Sequence, residues 1–158
     1  MIRDNFVVTR INFRIASPTK PALLVPALVN GKGPYEFALD TGAATTVLSQ
    51  DLANSLGLKA GVASEGIGAG GRVGVSITSV DSLAIGQATQ DNLQVAITDL
   101  SLLSQAIGTT LAGIIGYNFL KNFKIGKNGI AFIVNEKNEV VAYPDASRIV
   151  KAESGGLR

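Results

Sequence analysis

The sequence predicts an all-β domain of many short strands with two or three short helices. Three observations point there. Apolar residues recur with period two along several segments, Gly- and Pro-rich stretches punctuate those segments, and helical spacing is confined to short runs. A length of 158 residues suits one domain, and 46% hydrophobic content is enough to fill a core.

Taken in order, Val7, Thr9, Ile11, Phe13 and Ile15 alternate with Val8, Arg10, Asn12 and Arg14, so Phe6–Ala16 has the period of a half-buried strand. Ser17–Pro21, SPTKP, breaks it. Ala22–Val29 is a second apolar strand, Asn30–Pro34 (NGKGP) has the composition of a hairpin turn, and Tyr35–Leu39 returns as a third strand. Ser49 suits an N-cap ahead of Leu52, Leu56 and Leu58, with Gly57 near the end, so Ser49–Leu58 reads as a short helix. The glycine-rich residues 61–76 are bordered by Val73, Val75 and Ile77 in alternation, which fits a hairpin with its tip near Gly70 better than a loose linker.

Val80–Ile85 and Asn92–Ile97 read as strands, and Leu100–Ile107 as a short helix or apolar loop. Leu111–Ile115 runs into Gly116, after which Phe119, Leu120 and Phe123 stand at helical spacing within Tyr117–Phe123. A hairpin of Gly129–Asn135 and Glu139–Tyr143 follows, and Ala146–Arg158 shows no pattern. The resulting division is an N-terminal strand and linker over 1–21, a main domain over 22–144 and a tail over 145–158.

Charge and composition exclude several classes of function. With 14 basic and 12 acidic residues the net charge is +2, and no basic cluster tracks a phosphate backbone, so nucleic acid is not expected as a partner. The chain has no cysteine and no histidine, which removes thiolate nucleophiles, Ser-His-Asp triads and the usual zinc sites. No spacing suits a metal, and no cofactor is expected. Met1–Phe6 is too polar to open a signal peptide, and no apolar run reaches the roughly 18 residues of a membrane span. These features do not fix the location; the cytoplasm is favoured for the chain as given, with the soluble domain of a membrane-anchored parent as the alternative.

Phe37–Leu48, FALDTGAATTVL, holds the most informative carboxylate. Asp40 ends an apolar run and is followed at once by Thr41 and Gly42, although a charge buried without a partner is among the costliest features of a fold. On these residues alone, a polar turn after a strand and a placed catalytic acid are both open. Asp51, Asp81, Asp91 and Asp99 sit in helix-start or polar contexts that capping or solvation explains.

ALDTGA at Ala38–Ala43, the glycine-rich hairpin, and the Ile114-Ile115-Gly116 run opening a further helix together resemble the retropepsin-like aspartic peptidases, including their bacterial single-domain members. The resemblance covers about residues 22–134. It implies a closed-barrel-like acid-protease fold and a homodimer in which each subunit contributes Asp40 to a pair acting on peptide or protein substrates. It gives Thr41, Gly42 and Ala43 the role of active-site support. Ile67, Gly68, Gly70 and Gly71 become a flap over substrate, and Ile114, Ile115 and Gly116 the family's second motif. Thr46 matches a structural position, and Asn118 a place where Asn or Asp is usual.

One pair of positions departs from the retroviral pattern. Ala44 and Tyr117 stand where retroviral members commonly carry an acid and an arginine paired within the subunit; both partners are absent together, so neither charge is stranded. Ala43 lacks the hydroxyl that a serine there would give the carboxylate, so cleavage is expected to peak in weak rather than strong acid. Arg72 beside the flap tip reads as a solvated charge or a substrate contact. A non-catalytic binding or regulatory module on the same fold is the alternative to the enzyme.

Overall fold

The computed structural model describes residues 11–17, 19, 22–68, 70–121, 133–134 and 140–142. Residues up to Arg10, most of the C-terminal hairpin and the Ala146–Arg158 tail lie outside the described residues. The chain divides into two units. The larger, residues 9–122, contains eight described strands and three short helices. In the smaller, β9 (Ile133–Val134) pairs antiparallel with β10 (Val140–Ala142).

In the larger unit the strands are β1 (Arg14–Ile15), β2 (Leu23–Val29), β3 (Lys32–Leu39), β4 (Thr46–Ser49), β5 (Val62–Gly68), β6 (Gly71–Ile85), β7 (Ala88–Thr98) and β8 (Gly113–Ile115). The helices are α1 (Gln50–Ser55), α2 (Ser101–Ile107) and α3 (Tyr117–Leu120). The sheet order is β1-β2-β3-β8-β4-β7-β6-β5, and a further pairing of β2 with β6 closes it into a ring. Asn30 fastens that closure: its N–H donates to the Ser82 carbonyl at 2.8 Å while its Oδ1 accepts from Ser82 N at 3.1 Å. The closed all-β expectation therefore holds.

Several boundaries differ from the sequence reading. The turn after β2 is only Asn30–Gly31, because both residues take positive φ, 51° and 72°, the conformation that lets a two-residue hairpin follow the strand twist. Lys32–Pro34 accordingly join β3. Val80–Ile85 is the inner end of β6, a single strand that begins at the hairpin tip. Among the described residues of the first segment only Arg14–Ile15 is strand, and Ile15 is exposed rather than half-buried. Helix α1 is shorter than expected, but Ser49 caps it, its hydroxyl accepting from Leu52 N at 3.1 Å.

The strands that carry the site are covered on both faces. Phe37, Leu48 and Ile115 are fully buried on one side. On the other, Ala38, Val47 and Ile114, aligned across β3, β8 and β4, pack in a cluster with Leu24 and with Leu100, Ile107 and Leu111 from around α2. Period-two alternation thus sends each neighbouring side chain of β8 into a different apolar layer, and the backbone between them has little freedom to shift.

Candidate active site

Asp40 follows the last residue of β3, and β3 is buried at Phe37 and Ala38 while Asp40 itself is exposed. The strand carries the acid from the core to the surface, so no uncompensated charge is left inside. The carboxylate is oriented locally: Gly42 N donates to Asp40 Oδ1 at 2.9 Å. A Cβ on residue 42 would lie 3.2 Å from that oxygen, tighter than ordinary contact, so glycine gives the carboxylate its room. Thr41 is exposed beside it, and Ala43 N closes the turn on the Asp40 carbonyl at 3.2 Å.

Three backbone bonds hold this loop from the second motif. Asp40 N donates to the Ile115 carbonyl at 3.0 Å, Tyr117 N to the Ala43 carbonyl at 2.7 Å, and Asn118 N to the Ala44 carbonyl at 3.1 Å. They are made because β8 inserts between β3 and β4, parallel to the first (Leu39 beside Ile115) and antiparallel to the second (Val47 beside Ile114). The two motifs singled out in the sequence, residues 40–43 and 114–116, are therefore joined directly.

Behind them lies a partly buried polar knot that the sequence signalled only through Thr46 and the identity of Asn118. Thr46, fully buried, donates from its N–H at 2.7 Å and from its hydroxyl at 2.9 Å to Asn118 Oδ1. Its Oγ1 accepts from Gly116 N at 3.1 Å, and Asn118 Nδ2 donates to the Gln94 carbonyl at 2.8 Å. Because Thr46 itself is fully buried, losing these bonds would strand its polar atoms, which costs more than the bonds' own strength. Gly116 fits the same knot by having no side chain, since a Cβ there would sit 2.5 Å from Thr45 C and 2.8 Å from Thr46 N. Gly113, one residue ahead of that motif, packs as tightly: a Cβ on it would strike the Phe37 ring and the Val47 carbonyl.

The glycine-rich hairpin is β5 and the outer part of β6, with Gly68 opposite Gly71 and the tip between them, near Gly70 as expected. Ile67 is 92% exposed. Arg72 Nη1 donates to Glu65 Oε2 at 3.0 Å across the hairpin, both side chains mostly in solvent, so Arg72 fits the solvated reading. At the hairpin's base Thr98 Oγ1 donates to the Gly74 carbonyl at 3.1 Å, and Gly61 N to Ser76 Oγ at 2.8 Å.

Elsewhere the acids behave as capping and surface groups. Asp99 accepts from Ser101 N at 2.8 Å at the start of α2, and that bond holds its carboxyl below the usual range. The Arg14 guanidinium, donating to Glu36, holds the Glu36 carboxyl low, with a further bond from the Thr109 hydroxyl. Among the described residues no group of three or more His, Cys, Asp or Glu could hold a metal, and no helix is long and apolar enough to cross a membrane.

No curated protein sequence matches the chain. In structure it is similar to a retropepsin-like aspartic protease from Rickettsia conorii, at 22% identity and a TM-score of 0.57 over 84% of this chain and 96% of that one. The EIAV protease, solved with the inhibitor HBY-793, aligns at 21% identity and a TM-score of 0.45 over 77% of this chain and 93% of its own. The family model described as aspartyl protease matches residues 25–119, a span inside the larger unit that contains both motifs and the hairpin. The chain belongs to the aspartyl protease family and is an aspartic peptidase with the retropepsin fold.

Proposed function

We propose that the chain is an endopeptidase working as a homodimer, with the Asp40 carboxylates of two copies as the reacting pair. The observation that carries this is the exposed Asp40 carboxylate on a loop pinned to buried strands, fixed by Gly42 N and left open toward solvent. The sequence holds one Asp-Thr-Gly, and peptide hydrolysis by carboxylates needs an acid and a base. A second copy supplies the missing partner.

Two carboxyl groups brought within hydrogen-bond reach retain one proton between them, because both cannot ionise cheaply side by side. The ionised member takes a proton from a water as its oxygen attacks the scissile carbonyl carbon, while the protonated member gives its proton to the carbonyl oxygen. Collapse of the tetrahedral species breaks the C–N bond as the carboxyl that took the water proton delivers it to the leaving nitrogen and the other carboxylate recovers a proton from a diol hydroxyl, restoring the pair. Thr41 supports the meeting of the two loops across the dimer axis. Residues 67–71 act as a flap that closes over the peptide and excludes water. If association is weak, activity rises more steeply than in proportion to protein concentration.

The test is Asp40→Asn, which keeps the size of the side chain and its capacity to accept from Gly42 N. Cleavage of a mixed peptide pool by the folded variant is expected to fall by at least ~10³-fold, the scale of losing an essential acid–base group. Full cleavage by the purified variant would remove Asp40 from the chemistry.

A further inference from the structure

Strand β6 runs unbroken from the hairpin tip into the core, but its support changes along the way. From Ser76 inward it pairs with β7, the last pair being Ser76 with Ile97, whereas from Val75 outward its one strand partner among the described residues is β5. There β7 ends: Thr98 still stands beside Ser49 of β4, while Asp99 accepts from Ser101 N at the start of α2. The Thr98 hydroxyl reaches one step further out and donates to the Gly74 carbonyl at 3.1 Å. Among the described residues this is the outermost hydrogen bond from the hairpin to the rest of the molecule, since the Arg72–Glu65 bond beyond it stays within the hairpin. Just inside it, Gly61 N donates to Ser76 Oγ at 2.8 Å and ties the entry of β5 to β6. Gly74 is exposed, and a Cβ on it would meet nothing within 4 Å, so packing at that residue does not duplicate the bond.

We propose that Thr98 is a positioning residue of the arm: its hydroxyl latches the Gly74 carbonyl to the end of β7 and so sets where the hairpin bends. With the bond made, the arm flexes from Gly74 outward. Without it, the bend moves inward to Ser76 and Gly61, and the moving part becomes longer and looser. The consequence for catalysis rests on the flap reading above. A looser arm spends less of its time closed over a peptide, which weakens apparent affinity in proportion and leaves the chemistry of the closed state alone.

The experiment compares amide hydrogen exchange in the wild type, Thr98→Val and Thr98→Ser, with kcat and KM measured on one peptide that the wild type cleaves. Thr98→Val keeps the shape and removes the hydroxyl. Its amides in Val62–Gly68 and in residues 71–75 should exchange about 5-fold faster, the scale of one lost hydrogen bond, while those of Val80–Ile85 stay within about 2-fold. KM should rise by about 5-fold with kcat within about 2-fold. Thr98→Ser, which restores the donor, should return both readouts to wild-type values. Unchanged exchange in the arm of Thr98→Val overturns the inference. So does a parallel rise in the arm and in Val80–Ile85, since Thr98 then serves only the stability of the whole fold. A looser arm with KM unchanged overturns the link from latch to substrate. A looser arm in a protein whose wild type cleaves no peptide leaves the latch standing and defeats the peptidase reading instead.

Discussion

The strand behind the Asp40 loop and the outer part of the glycine-rich hairpin both depend on glycine, and they use it in opposite ways. At Gly113 and Gly116 the missing side chain lets backbones and a ring approach more closely than any Cβ allows. At Gly70 and Gly74 a Cβ would meet nothing within 4 Å. In the first region glycine creates contact and removes freedom, and three backbone bonds with the Thr46–Asn118 knot complete the restraint. In the second it leaves a two-stranded arm with exposed Ile67 and Val62, on which β5 is the sheet's last strand. Under the proposed function, an acid placed to within fractions of an ångström and an arm that opens for a polypeptide call for these two solutions.

The contrast is sharpest in a pair of substitutions. Gly116→Ala should destabilise the fold by about 3 kcal/mol, the upper range for overpacking, because the atoms it meets are backbone and cannot rotate away. Gly70→Ala or Gly74→Ala should change stability by no more than about 0.5 kcal/mol. Urea unfolding of the three variants measures both quantities. Comparable losses in the hairpin and at Gly116 would break the distinction between a packed site and a free arm.

A smaller effect marks the edge of the packed region. Arg14 on β1 holds Glu36 on β3, and this bond depresses the Glu36 carboxyl. A group whose folded value is lowered contributes stability that is complete above its unfolded value and is lost as pH falls through the folded one. Unfolding midpoints of the wild type should therefore decline from about pH 6 to about pH 3.5 slightly more than those of Glu36→Gln, since the unfolded value lies near 4.5. The pair is partly solvated, so the difference is small. An identical acid dependence in both proteins would mean that the bond does not hold β1.

Local chemistry made much of this legible. The alternation of Ala22–Val29, the serine cap of α1 and the hairpin tip all follow from residues a few positions apart, and each stands within a residue or two of its expected place. What the sequence concealed is non-local. The parallel pairings of β3 with β8 and of β4 with β7, and the closure of β2 on β6, join segments with no common periodic signal. Continuous β6 was hidden because its outer half is glycine-rich and its middle, Ser76–Ser79, mixes polar and apolar residues. At the site, Asp40 and the second motif were visible as motifs. The Thr46–Asn118 bonds, between residues 72 apart, became visible only when the fold brought them together.

The central claim, that two copies each contribute one Asp40, is tested most directly by mixing. Asp40→Asn protein is added to wild type at fixed total concentration, high enough for full association and with time for exchange, and peptide cleavage is measured against the wild-type fraction. If catalysis needs both carboxylates, activity follows the square of that fraction, so an equal mixture retains about one quarter of the wild-type rate. A linear decline to about one half, with exchange shown by a labelled subunit, would mean that each chain works alone and would contradict the account.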